Sequence, residues 1–332
     1  MLLSDDACRA RGPILAALRD VATRGGAAPL TDADRAALAA FDRYLLRNDG
    51  APDDGAASTD PKALARAIAA PRDREHVVQG LVVMALVDGS VDQARIARAL
   101  DYARALGGSV DGVRELAELG RGHLNWVRAD AQRQNMKSIT GREMSGPEDA
   151  WILPYRDRPD PALAARYRAL GALPEGTLGR GFFDFYRVHG FAFPGESAGV
   201  NERFGTPHDS THVLSGYDTS PGGELMVSTF TAGMHPREPM SGHILPVIMS
   251  WHLGIELVKF AGSTTHALDP RAFWLAWSRG NATTTDTFDA AWDFWGTAPR
   301  PVDDVRRDYG IPPLDPTLSG SSARPEGYKA SA

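Results

Sequence analysis

His208, Asp209, His212 and Glu224 lie in the segment FGTPHDSTHVLSGYDTSPGGELMVSTF, Phe204 to Phe230, and their types and spacing could hold a metal ion. Thr206-Pro207 reads as a helix cap followed by a first-turn proline, and Gly216 as the end of that helix. Four residues of helix put His208 and His212 on one face, where two imidazoles can converge on one ion. Asp209 is offset from His208 by about 100° around the helix, from where it could complete the ligand set, orient a ligand histidine or serve as the catalytic acid-base group. Ser220-Pro221 opens the next helix after a short loop, and Glu224 falls in its first turn, facing back across the connection. Two neutral imidazoles with one or two carboxylates suit zinc with an open water position, which is the metal expected, and equally the two-His-one-carboxylate pattern of non-haem iron. Two histidines four apart are a weak signal alone, since most such surface pairs bind nothing. The adjacent Asp209, the bounded helix and the carboxylate at the next helix start strengthen it.

The elements that must position these residues are helical throughout. Asp60-Pro61, Asp160-Pro161 and Asp269-Pro270 each place a capping side chain before a proline that tolerates a first helical turn, so each predicts a helix start. Thr31 caps a helix whose Leu38, Phe41 and Leu45 form one stripe. Met226 to Phe230 alternates like a short strand, but its place between two helical patterns makes it helical. The fold class expected is all-α, with helical bundle domains. All seven Trp residues lie from Trp126 onward, and Gly, Pro, Ser and charges interrupt any helical period after Lys137. These shifts divide the chain into an N-terminal helical module over 1–135, a linker over 136–158, a larger helical domain over 159–315 and a disordered tail over 316–332.

The bulk properties exclude several classes. With 332 residues and 43% hydrophobic residues the chain can bury a sizeable core, and a net charge of −6 offers no basic face to nucleic acid. Cys8, the one cysteine, rules out an internal disulfide and a Cys-rich zinc site. Asp5 and Asp6 stand where a signal peptide would carry positive charge, so a cytoplasmic location is expected, with contact at the inner face of the cell membrane left open. His243 to Gly262, the most apolar long stretch, is interrupted by Glu256 and Lys259 and does not read as a spanning helix.

His208, Asp209, His212 and Glu224, with eleven residues between His212 and Glu224, match the His-Asp-x-x-His-x11-Glu motif of the fourth coenzyme-Q (ubiquinone) biosynthesis protein family, which the second half of the chain resembles. The likeness runs from LPEGTLGRGFFDFYRVHGF through HVLSGY to FWLAWSRGNATTTDTF and AAWDFWGTAPRPVDDVRRDYGIPPL, about residues 160 to 314. It departs at Ser210-Thr211, where bulkier residues are usual. The resemblance implies a divalent metal on His208, Asp209, His212 and Glu224, a ring substrate carrying a carboxylate and a polyprenyl tail, and decarboxylation with hydroxylation at the carboxylate-bearing carbon. It also implies other quinone-biosynthesis proteins or an isoprenoid lipid as partners, with dimerisation left open. Arg180 and Tyr217, inside the matched stretches, are the candidate substrate contacts, although an arginine beside Asp184 is more often a surface ion pair. A non-catalytic prenyl-lipid-binding scaffold is the alternative, and metal-assisted hydrolysis the third reading. His235, His243, His252 and His266 lack tight ligand spacing and read as caps, surface or core residues. Val87 to Asp92, between two predicted helices spanning Gly80 to Gly108, resembles the acidic turn of the TerB-like helical module, but Gln93, Ala94 and Arg95 follow where a glutamate is usual, and no chemistry is assigned to it.

Overall fold

The computed structural model describes residues 3–50, 59–107, 110–141, 155, 158–257, 262–315 and 318. Among them the regular elements are helices, and the chain is all-α as its sequence predicts. The first half carries α1 (Asp5–Arg9), α2 (Arg11–Ala22), α3 (Asp32–Tyr44), α4 (Pro61–Ala67), α5 (Pro71–Met84), α6 (Gln93–Leu106), α7 (Val113–Gly120) and α8 (Leu124–Thr140). The second half carries α9 (Pro161–Arg168), α10 (Leu178–His189), α11 (Glu202–Ser215), α12 (Pro221–Met234), α13 (Leu245–Trp251), α14 (Pro270–Ala282), α15 (Phe294–Thr297) and α16 (Val302–Asp308). A single π turn, Met240–Ile244, leads into α13. No helix among the described residues is long and apolar enough to cross a membrane.

The three Asp-Pro pairs open α4, α9 and α14, with Asp60, Asp160 and Asp269 each accepting a hydrogen bond from the backbone N–H three residues on. Thr31 caps α3 in a reciprocal box with Asp34. Met226 to Phe230 lies inside α12, and the expected hairpin from Gly80 is the end of α5, a turn and α6, while Gly108 lies outside the described residues. α8 continues to Thr140, into the segment expected as linker; residues 142–154 and 156–157 of that segment, and 316–317 and 319–332 of the expected tail, lie outside the described residues.

α12 is the central helix, buried nearly all round, and lies along α14. Their backbones touch: a Cβ on Gly280 would stand 2.0 Å from the Phe230 carbonyl oxygen, and one on Gly233 2.6 Å from that of Trp277. Any larger side chain there would force the helices apart. α14 packs its other side on α3, where Trp274 meets Phe41 edge-on at 4.9 Å. One hydrophobic cluster therefore runs from Leu3 through Phe41, Phe230 and Trp274 to Ile311. A second, aromatic cluster holds Tyr167, Phe182, Tyr186, Phe193 and Phe294 around α10.

The acidic turn between α5 and α6 is held by an internal cation. Buried Arg95 donates to Asp88, to Asp34 at 2.5 Å and to the Met84 carbonyl at 2.7 Å. A guanidinium thus stands beside Asp88 of the acidic turn.

Asp111 joins the two halves by accepting from the backbone N–H groups of Met240 and Ser241 at 2.7 and 3.2 Å. Nearby Glu115 is buried, and burial with the neighbouring Asp130 pushes its carboxyl up to about 7. A carboxyl raised in the folded state stabilises the fold fully below its unfolded value, and that contribution is lost as pH rises through about 7. Glu115→Gln removes the ionisation, so the variant's stability relative to wild type is expected to rise between pH 5 and pH 8. Urea unfolding at the two pH values checks this; a difference that does not change with pH contradicts it.

Candidate metal centre

α11 begins earlier than its sequence suggests. Asn201, not Thr206, is the cap, accepting from the Arg203 N–H at 3.1 Å, and Pro207 lies within the helix. The proline is tolerated because it falls early, where its missing N–H costs a single bond to the first turn, and because Asn201 already supplies a start. Thr206 instead uses its hydroxyl to bond the Tyr167 hydroxyl. The expected end holds: Gly216 caps α11 at φ +83°, a left-handed conformation that suits glycine. Arg306 of α16 donates to the Val213 and Leu214 carbonyls, both at 2.9 Å, and fixes this end of the helix.

α12 starts at Ser220, whose hydroxyl accepts from Gly223 N–H, and so places Glu224 in its first turn opposite α11. His208, His212 and Glu224 converge, one donor atom from each lying within 4.8 Å of the others, and form the one such group of His, Cys, Asp or Glu among the described residues. His208 Nε2 lies 3.5 Å from one Glu224 oxygen and His212 Nε2 3.5 Å from the other. That separation is long for an N–H···O hydrogen bond. It fits two donors sharing an ion, since a tetrahedral site with bonds of about 2.0–2.1 Å sets its donors roughly 3.3 Å apart.

The surrounding residues prepare His212 as a ligand. Its Nδ1 lies 2.9 Å from the Tyr217 carbonyl oxygen, an acceptor only, so Nδ1 carries the proton and Nε2 presents its lone pair to the cluster. Phe185 of α10 stacks on the His212 ring at 5.3 Å, and Phe204 stacks on His208 at 4.9 Å. Burial opposes ionisation of Glu224, but the charges of His212 and His208 outweigh it and hold the carboxyl far below the usual carboxylate range. Burial likewise works to lower the His212 imidazole, and the Glu224 charge outweighs it, raising the group overall. The pocket thus stabilises positive charge between two imidazoles and a carboxylate, as a divalent ion requires.

Asp209 stands outside the three-residue cluster. Its carboxylate accepts from the buried Tyr186 hydroxyl of α10, and burial pushes it up against the pull of the His208 charge. Tyr217 contributes its backbone carbonyl to His212, while its ring lies under the Arg279 guanidinium at 5.2 Å. Arg180 is paired with Asp184 at 2.9 Å and reaches the Gly171 carbonyl, so its partners are on α10 and the turn before it rather than at the metal centre. Tyr186, Phe185 and the Tyr217 carbonyl were not foreseen as supports. Only the aromatic run FFDFY hinted at the first two, since its register against α11 depends on tertiary packing.

No family model and no curated protein matches this chain. A solved structure from Nostoc punctiforme PCC 73102, described as a "Putative ubiquinone biosynthesis protein", is similar over 72% of this chain and 98% of its own, with 18% identity and a TM-score of 0.30.

Proposed function

We propose that the protein acts in ubiquinone biosynthesis, using a divalent metal at His208, His212 and Glu224 in the oxidative decarboxylation of a polyprenyl-hydroxybenzoate. The observation that carries the metal half of this reading is the pair of 3.5 Å imidazole–carboxylate separations with His212 locked in the ligand tautomer. The quinone half rests on the spacing of His208, Asp209, His212 and Glu224 and on the flanking stretches from residue 160 to 314.

In the reaction the bond between ring and carboxylate breaks, carbon dioxide leaves, and a ring C–O bond forms with oxygen from water. The two electrons released pass to dioxygen, which is reduced to hydrogen peroxide. A bound divalent metal, zinc by expectation and iron as the alternative, would supply Lewis-acid chemistry toward the substrate's oxygens. His208, His212 and Glu224 would hold that ion. Asp209, held by Tyr186 beside the ligand histidines, orients the α11 face and supplies a carboxylate that can take or return a proton. Phe185 of α10 packs against the His212 ring on this face.

The test is to incubate metal-loaded protein with a short-chain prenylated 4-hydroxybenzoate in air and follow released carbon dioxide and the hydroquinone by mass spectrometry. Turnover by wild type and none by His208→Ala is expected. Tight binding of prenyl lipid without turnover would favour the non-catalytic scaffold instead.

A further inference from the structure

We propose that Arg279 is a positioning residue for the metal centre: its guanidinium grips both sides of the turn that ends α11 and so aims His212 toward Glu224 on α12. The inference rests on the metal-centre reading above and assigns a role to a residue outside the metal-binding motif.

An α-helix leaves its last four carbonyls without internal partners, and His212 stands in the last turn of α11. The His212 carbonyl accepts from Gly216 N–H at 2.9 Å, and Arg306 takes those of Val213 and Leu214. The fourth, on Ser215, accepts from Arg279 Nη2 at 3.0 Å. Arg279 lies on α14 and is only 3% exposed. Its Nη2 also donates to the Pro312 carbonyl at 2.8 Å, and its Nε reaches the same oxygen at 3.0 Å. Nη2 carries two hydrogens, so both of its bonds form at once and fix the plane of the guanidinium. Two cations from other elements thus close the helix end that carries His212, where positive charge also complements the helix dipole.

The same guanidinium lies over the ring of Tyr217 at 5.2 Å and that of Phe230 at 5.6 Å. Ser215 and Tyr217 flank Gly216, so Arg279 holds the left-handed turn from both sides. Tyr217 is the residue whose carbonyl oxygen takes the Nδ1 proton of His212 at 2.9 Å. A shift of the turn moves that acceptor, and with it the direction in which Nε2 presents its lone pair. The frame that Arg279 refers to is the helix pair carrying the third ligand. On α14 its neighbour Gly280 touches the Phe230 carbonyl of α12, closely enough that an added Cβ would stand 2.0 Å away, and Glu224 lies in the first turn of α12. Arg279 therefore ties the His212 side of the cluster to the Glu224 side. A lysine ammonium keeps the charge but has neither the planar fork nor the flat face that lies over Tyr217.

The test compares wild type, Arg279→Lys and Arg279→Met by zinc competition against a chromogenic chelator and by the visible absorption of cobalt(II)-loaded protein, which reports coordination geometry. Arg279→Met should bind zinc about 10–100-fold more weakly, the loss expected when a group that orients a ligand is removed, and Arg279→Lys should fall between it and wild type. The cobalt bands of both variants should shift, a change that lower stability alone would not produce in folded protein. Unchanged cobalt bands, with or without weaker zinc binding, or an Arg279→Met affinity within about threefold of wild type, overturn the proposal and leave the metal centre intact. Wild type that binds neither zinc nor cobalt overturns both. Should Arg279→Met fail to fold, the cobalt bands of Arg279→Lys, which keeps a buried cation, decide in the same sense.

Discussion

Glu224→Gln is expected to lower zinc affinity by more than about 100-fold and to abolish turnover, while leaving the helical content of the protein unchanged. Loss of a supporting group around a ligand already costs roughly 10–100-fold in affinity, and Glu224 is a direct donor. The substitution keeps the side chain's shape and removes its charge, which is the charge both imidazoles face at 3.5 Å. It also leaves the buried His212 without its anion, so the pocket would cease to favour a cation. Competition against a chromogenic zinc chelator measures the affinity. Retention within threefold of wild type would show that Glu224 is not a ligand.

Arg95→Ala should destabilise the fold by about 3–5 kcal/mol, because it strands carboxylates that are buried and were paired. Asp34 is fully buried and Asp88 nearly so, and Arg95 is the guanidinium between them. It also ties α3, the end of α5 and the turn before α6 through Asp34, the Met84 carbonyl and Asp88. By comparison, removing a helix cap such as Asp269 costs about 1 kcal/mol. Urea unfolding monitored by circular dichroism should show the midpoint fall with little change in slope. A loss below about 1 kcal/mol would mean that the cluster is hydrated and its pairing of little consequence. The metal centre lies on other elements, so metal content per folded molecule should be unchanged.

The parts of the structure that were readable from sequence are those governed by local chemistry. An aspartate before a proline caps a helix wherever the chain goes, and Asp60, Asp160 and Asp269 do so. His208 and His212 share a face because they share a helix, and Glu224 meets them because a short loop can only return the next helix alongside. The start of α11 was misread because Pro207 has the signature of a first-turn residue, while Asn201, six residues earlier, carries no proline to mark it. Contacts between distant segments were not readable. Nothing near Asp209 in sequence announces that Tyr186 will hold it, and Tyr217 acts through a carbonyl that every residue possesses. His243 meets the hydroxyl of Ser138, more than a hundred residues away, a contact that no local pattern announces.

Elemental analysis of the purified protein by inductively coupled plasma mass spectrometry, comparing wild type with His212→Ala, tests the central claim most directly. Near-stoichiometric zinc or iron in wild type and its loss from the variant is the predicted result, zinc favouring the anchoring role and iron oxidative chemistry. Wild type that takes up neither metal after reconstitution would contradict the metal centre, and with it the proposed reaction.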